Sequence, residues 1–332
     1  MSILLLVESP SKCKKIESYL GSSYKCIGTK GHLRTLDLKH INIADHFKPS
    51  FTILPKQRKH VQYLQQECKK AKQVIIATDD DREGESIAWH ICMLCKLNIS
   101  TTPRIRFGEI TKFALQNAIA NPDRINMNIV YAAQCRQIID ILIGFHISPL
   151  LWKELGIYTL SAGRCQTPTL CLVHDHDKEE DHSKMGYEIH GIFESNVYIL
   201  KHELIEDLSI LREFLEKSKN FKHVFHRKAS KNTTHYAPKP FTTSRLQQRA
   251  STELHMTPKK TMIICQSLYE NGYITYMRTD AEYYSEDARK QIDEHIIKHY
   301  GDDFTSSRKY DGEDGAAHES IRPTNINTKQ LP

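Results

Sequence analysis

Residues 74–85 read Val-Ile-Ile-Ala-Thr-Asp-Asp-Asp-Arg-Glu-Gly-Glu, a β-branched run that passes straight into a cluster of carboxylates. The run Val74-Ile75-Ile76 has the length and composition of a strand buried on both faces, as in a parallel sheet. Open α/β sheets bind ligands beyond the carboxyl ends of their strands, where Asp79, Asp81 and Glu83 stand. If the chain stays extended there, a period of two turns all three carboxylates to one side and Asp80 away from them. Hard oxygen donors at this density suit Mg²⁺, which shares its remaining positions with water and phosphate oxygens. A solvated acidic turn, capping a helix that begins near Gly84, accounts for the same residues without a metal.

A second apolar run, Ile3-Leu4-Leu5-Leu6-Val7, delivers Glu8 at its end and continues as Ser9-Pro10-Ser11-Lys12. Two parallel strands would then both end in carboxylates. Ser9 or Ser11 is placed to cap the helix entered here, with Pro10 tolerated in its first turn.

Taken together, V-E-S-P-S-K and T-D-D-D-R-E-G-E resemble the toprim domain of type IA DNA topoisomerases. The resemblance implies that Glu8 is an active-site acid and that Asp79, Asp81 and Glu83, with Glu8, hold Mg²⁺. Toprim domains also occur in primases and some nucleases, so these motifs alone leave the reaction open. The segment Asn271-Gly272-Tyr273-Ile274-Thr275-Tyr276-Met277-Arg278-Thr279-Asp280 is similar to the active-site tyrosine motif of the same family, G-x-I-T-Y-x-R-T-D. Asp80 departs from the pattern, standing where many relatives carry Leu or Pro. It and Glu85 read as bystanders, with Glu85 available for a supporting role behind the ligands.

A phenol with a pKa near 10 is only about 0.1% ionised at neutral pH, so it attacks a phosphodiester only beside a positive charge or a base. Arg278 supplies a fixed charge two residues on. By resemblance Tyr276 takes the 5′-phosphate and the 3′-oxygen leaves. Glu8 is the candidate proton donor to that oxygen, with Lys12 supporting the phosphate.

Further stretches resemble the family in chain order. They are Lys30-Gly31-His32-Leu33-Arg34, Arg106-Phe107-Gly108-Glu109-Ile110-Thr111, Ser161-Ala162-Gly163-Arg164-Cys165-Gln166-Thr167 and Ala317-His318-Glu319-Ser320-Ile321-Arg322-Pro323-Thr324. The resemblance implies that His318 organises the hydrogen bonds of the tyrosine and that Arg164 lies near the scissile phosphate. His32, Gln166 and Arg322 are the other DNA contacts expected from these stretches. Arg136 is a further candidate, although an i,i+4 pair with Asp140 explains it more simply.

The rest of the 332 residues agrees with a polyanionic partner. The net charge is +6, but charged residues of both signs make up 26% of the chain, so binding would rest on local patches. Lys56, Arg58, Lys59, Lys228, Lys231 and Lys239 are possible phosphate contacts, each more simply a solvated charge. Nine cysteines include one C-x-x-C pair, Cys92 and Cys95, within the apolar pattern of a helix, and they read as core thiols rather than zinc ligands. The odd count and the absence of a secretory leader point to an intracellular protein, in cytoplasm or nucleoid, with a viral or host compartment left open. The opening apolar run is too short to span a membrane. No phosphate-loop motif is present, so no nucleotide cofactor is expected.

The fold class expected is α/β and α+β, in several domains. Residues 1–122 alternate strands (3–7, 22–27, 74–78, 104–107) and helices (11–20, 57–71, 84–95, 111–119) as a toprim α/β domain, broken by an irregular stretch at 28–55. Residues 123–183 read as a helical DNA-binding domain. Residues 184–238 read as a β-rich segment with strands near 187–193, 196–200 and 224–227, which the resemblance makes part of an arch over a central hole. Residues 239–332 read as a helix-turn-helix-like domain that presents strand Tyr273–Thr275 and then the catalytic Tyr276.

The function implied is a type IA topoisomerase. Such an enzyme cuts one strand of negatively supercoiled DNA, passes another strand and reseals the cut without ATP, gripping single-stranded segments. Family members continue past the last motif, so a missing C-terminal region or a further chain is expected to complete the toroid. The alternatives are a single-stranded-DNA-binding or cleavage-only fragment that does not relax DNA alone, and a plain toprim nuclease that does not need Tyr276.

Overall fold

Leu4, Leu5, Leu6 and Val7 are all buried, because their strand is the middle one of a parallel sheet. The computed structural model describes every residue except 1, 38–46, 182–185, 194, 195, 201–204, 225, 234–236, 306–317, 329 and 332. The elements run β1 (Ile3–Val7), α1 (Ser11–Leu20), β2 (Tyr24–Gly28), β3 (Arg34–Leu36), β4 (Phe51–Ile53), α2 (Arg58–Lys70), β5 (Gln73–Ile76), α3 (Arg82–Cys95) and α4 (Lys112–Ala120). They continue as α5 (Met127–Leu155), α6 (Gln166–Asp181), β6 (His190–Phe193), β7 (Asn196–Ile199), α7 (Leu208–Lys219), α8 (Thr243–Leu254), α9 (Pro258–Glu270) and α10 (Glu286–Tyr300). The chain forms two compact units, Met1–Ile141 with Ala237–Pro332, and Leu142–Tyr236.

In the first unit the sheet order is β2-β1-β5, with Leu6 level with Ile27 on one side and Ile76 on the other. The period of two divides β1 between two cores. Leu5 and Val7 join a cluster with Ile16, Leu115, Tyr269 and Tyr276, whereas Leu4 and Leu6 join one with Leu64, Ile87, Ile91 and Val130. The tyrosine-bearing segment is therefore packed on one face of the sheet. The stretch expected to be irregular contains the antiparallel pair β3 and β4, with residues 38–46 outside the described set.

Three expected strands are not formed. Residues 104–107 make two isolated bridges, both at Arg104, to Ile76 and to Asp123, and the Arg104 side chain takes the carbonyls of Thr78 and Asp79 beyond the end of β5. Tyr273–Thr275 makes one bridge, Ile274 to Pro323, closed by the Thr275 N–H on Arg322 O and the Thr324 N–H on Tyr273 O, and the next N–H, of Tyr276, goes to Gly108 O instead. Val224, His226 and Arg227 carry no strand, and residue 225 lies outside the described residues.

Helix starts follow their polar caps. Thr242, Thr257 and Ser285 each accept a backbone N–H at the head of α8, α9 and α10. The serine cap expected for α1 is absent. Pro10 occupies the capping position in helical geometry, and the Ser9 and Ser11 hydroxyls bond to each other at 2.6 Å.

The second unit contains the later part of α5, then α6, the antiparallel pair β6–β7 and α7. Trp152 Nε1 donates to Leu160 O at 2.6 Å and the Ala162 N–H donates to Ser148 Oγ at 3.0 Å, which closes the turn between α5 and α6. No helix among the described residues is long and apolar enough to cross a membrane.

Candidate active site

The acid turn sits at the carboxyl end of β5, and its geometry departs from simple alternation. Asp81 is extended and caps α3, its Oδ1 accepting the Gly84 N–H at 2.6 Å. The helix thus begins at Arg82 rather than near Gly84. Glu83 lies in its first turn, so the expectation that Asp79, Asp81 and Glu83 share one extended face is corrected. Gly84 is required by proximity, since a Cβ there would stand 2.0 Å from Asp79 O.

Two arginines hold this turn from below. Arg104, fully buried, donates to Thr78 O at 2.7 Å, Asp79 O at 2.8 Å and Glu85 Oε2 at 3.1 Å. Arg106 reaches Glu85 Oε1 at 2.9 Å and Asp80 Oδ1 at 3.2 Å. Asp80 and Glu85 are consequently structural hubs rather than bystanders. Glu85 also accepts the Asn126 N–H at 2.6 Å. A strand pattern broken by two arginines in Thr-Pro-Arg-Ile-Arg-Phe was the available signal for this clamp.

Glu8 ends β1 beside the turn. Burial first, and then the Asp79 carboxylate, push its pKa up to about 7, so a large share of the protein keeps this proton near neutrality. Lys12 is fully buried and ion-paired with Asp79, with its ammonium 4.8 Å from the centre of the Tyr269 ring. It holds an acid in this arrangement and does not face open space.

Tyr276 is 2% exposed, and its hydroxyl donates to Asp81 Oδ2 at 2.6 Å. Its backbone N–H donates to Gly108 O at 2.7 Å. Burial and the Asp81 charge raise the phenol pKa well above its ordinary value. Arg278 Nη1 lies 3.4 Å from the same Asp81 oxygen and 3.7 Å from Glu83. Burial alone would lower the Arg278 pKa, but Tyr276 and the acids around it raise it. His318 packs on the phenol ring at 4.8 Å and donates through Nε2 to Asp80 O at 2.5 Å. Among the described residues its buried Nδ1 has no hydrogen-bond partner.

The turn, Glu8 and Arg278 open onto a pocket of about 540 Å³ whose far wall is α9, with Lys259, Ile263 and Gln266. His32 and Arg136 line a separate recess of about 140 Å³ with Arg82, Glu83 and Gln137. Arg136 also carries the expected pair to Asp140, at 3.9 Å. Arg322 pairs with Glu319 at 2.7 Å and Glu109 at 3.2 Å, half-buried, where it ties the segment after His318 to the Gly108–Glu109 loop. Arg164 and Gln166 belong to the second unit, at the head of α6. There Gln166 Nε2 donates to Ser161 O at 2.8 Å.

The donor chemistry of Glu8, Asp79 and Asp81, carboxylates lining one pocket, fits a hard divalent ion such as Mg²⁺. In this arrangement Asp79 is engaged by Lys12, and Asp81 by Tyr276 and Arg278. Among the described residues no three acid, histidine or cysteine side chains gather as a ready-made metal group. The cysteines are free thiols, with Cys92 buried and Cys95 half-buried.

The Toprim domain family matches residues 3–110, and the DNA topoisomerase family matches residues 124–332. Full-length topoisomerase I from Thermotoga maritima is a similar solved structure, 34% identical with a TM-score of 0.82 over 97% of this chain. The match covers 55% of that protein, so the present chain spans about half its length.

Proposed function

The chain belongs to the type IA DNA topoisomerase family, and from that premise we propose that Tyr276 cleaves one DNA strand as a 5′-phosphotyrosine ester. The observation that supports this reading most directly is the phenol at 2.6 Å from Asp81, beside Arg278 and a Glu8 that holds a proton near neutral pH.

In the proposed reaction, the phenol oxygen attacks phosphorus and loses its proton toward Asp81, the carboxylate already accepting its hydrogen bond. Arg278 balances charge that builds on the phosphate oxygens. Glu8 protonates the departing 3′-oxygen and takes the proton back when that oxygen attacks in resealing. The ester conserves the energy of the broken bond, so resealing needs no ATP. Asp79 and Asp81, with Glu83 nearby, would hold Mg²⁺, joined by Glu8 in its ionised form, and the ion when bound supplies positive charge against the phosphates. Lys12 keeps Asp79 in place, and His318 positions the phenol ring. His32, Arg136, Arg164, Gln166 and Arg322 are proposed to lie along or beside the DNA path, with Arg322 acting through the loop it anchors.

The substrate proposed is a single-stranded segment of negatively supercoiled DNA inside the cell. Strand passage and relaxation are proposed for the protein as a whole, including any further region or chain that completes it. The cleavage chemistry is proposed for the residues described. Incubation of the chain with a 3′-labelled single-stranded oligonucleotide and Mg²⁺ tests the reading. A covalent labelled adduct is expected, and Tyr276→Phe should abolish it while leaving oligonucleotide binding within about twofold. Cleavage that survives Tyr276→Phe would identify a toprim nuclease instead, and binding with no adduct would leave a DNA-binding module.

A further inference from the structure

The proposed reaction needs the Asp81 carboxylate and the Tyr276 phenol at a fixed separation, and a closed circuit of contacts joins them. Asp81 accepts from the phenol at 2.6 Å, and the Tyr276 N–H donates to Gly108 O at 2.7 Å. Two residues back along the chain, Arg106 Nε stands 3.2 Å from Asp80 Oδ1, and Asp80 precedes Asp81. Asp80 closes a second, smaller loop, because its carbonyl takes His318 Nε2 and the His318 ring lies on Tyr276. Arg106 is itself fixed by Glu85 at 2.9 Å and by Asp123. The other links are backbone or side chains of the proposed site, whereas Arg106 touches none of the reacting groups.

We infer that Arg106 is a positioning residue, which sets through Asp80 the gap between the acid turn and the nucleophile. Its planar fork serves Asp80, Glu85 and Asp123 together, which a lysine ammonium on a single stem does not reproduce. Methionine fills similar volume without charge and leaves the Asp80 carboxylate without the arginine. Replacing both partners by apolar side chains removes the stranded acid and restores a packed contact. The catalytic part of the inference rests on Tyr276 being the nucleophile, but the positional part does not.

Two measurements on the whole chain separate these parts, using Arg106→Met, Arg106→Lys and the double variant Asp80→Leu/Arg106→Met. Amide hydrogen exchange across residues 274–279 reports the bond from Tyr276 to Gly108. Exchange there is expected to rise about tenfold in Arg106→Met, to stay unchanged in β1 and β5, and to return within about threefold of the parent in the double variant. The single-turnover rate of adduct formation is expected to fall about tenfold in Arg106→Met at saturating oligonucleotide, with unchanged half-saturation and an intermediate rate in Arg106→Lys. Unchanged exchange at residues 274–279 overturns the inference. A loss of adduct that follows oligonucleotide affinity or global stability overturns it as well. If exchange rises as expected while the parent chain forms no adduct, the positioning stands and the proposed reaction falls.

Discussion

The acid turn and the nucleophile segment meet at Asp81 Oδ2, which accepts from both Tyr276 and Arg278, yet they are held in place by different means. Asp79–Asp81 lies between a strand and a helix and is closed by neighbours in sequence, with Asp81 on the Gly84 N–H and the Thr78 hydroxyl on Gly84 O at 2.7 Å. Residues 273–279 contain neither helix nor strand. They are held by groups distant in sequence: Gly108 O for Tyr276, Ser320 and Arg322 for Thr275, and Thr243 for Met277 and Thr279. The first region thus adds local bonds within a short stretch of sequence to its distant anchors Arg104, Arg106 and Lys12, while the second rests mainly on distant partners.

Removing the arginine beneath the acid turn should break this contrast most severely. Arg104 and Glu85 are buried together, and Arg104→Met leaves a buried carboxylate with reduced compensation and removes the guanidinium donor from three carbonyls, those of Thr78, Asp79 and Ile105. A loss of about 3–5 kcal/mol in denaturant unfolding is expected. A loss below about 1 kcal/mol would mean that the local bonds of the turn suffice on their own.

That arginine also shows where sequence reading stops. The apolar runs of β1 and β5 are legible because strands covered on both faces need no alternation, and the caps Thr242, Thr257 and Ser285 are legible because they act on their own helix. Tyr276 and Arg278 are legible through a motif. The burial of Arg104 is not, since a charge in a strand pattern ordinarily reads as an exposed edge. Nor is the turning aside of Glu83, because it depends on Asp81 capping α3 instead of continuing the strand. The roles of Asp80 and Arg322 rest on partners between 26 and 238 positions away, at Arg106 and His318 for the first and at Glu109 for the second.

Two glycines probe the regions in parallel. Gly84→Ala forces a methyl to 2.0 Å from Asp79 O, where only backbone can yield, and a loss of about 1–3 kcal/mol together with the adduct is expected. Gly272, at φ +70° and with Ile110 O at 2.5 Å from an added Cβ, opens the irregular nucleophile segment. Alanine there is expected to cost about 1–2 kcal/mol, with the adduct retained at a reduced rate. Equal loss of adduct in both variants would show that the two regions are equally rigid.

The pH dependence belongs to the acid side. Between its ordinary 4.5 and about 7, Glu8 is protonated in the folded protein and ionised in the unfolded chain. Its contribution to stability therefore falls as pH rises through that window and is constant above it. Ionisation also removes the acid that serves the departing oxygen, so single-turnover cleavage should decline by up to about tenfold per pH unit above 7. Glu8→Gln, a lasting mimic of the protonated form, should flatten the Glu8 part of the stability slope and show slow cleavage with no decline of this origin. A parent profile flat from pH 6 to 9 would remove Glu8 as the acid.

The mildest change should come from a single anchor of the nucleophile segment. The Thr275 hydroxyl donates to Ser320 O at 2.9 Å and accepts the Arg322 N–H at 3.0 Å, all buried or half-buried. Thr275→Val keeps the shape and leaves both backbone groups without that partner, at an expected cost of about 1–2 kcal/mol. The Tyr276 bond to Gly108 and the Thr243 bonds on the far side persist, so adduct formation should slow by only about threefold. If Thr275→Val instead matches Arg104→Met in both stability and adduct, the segment hangs on one anchor rather than many. The nucleophile would then be held as locally as the acids it faces.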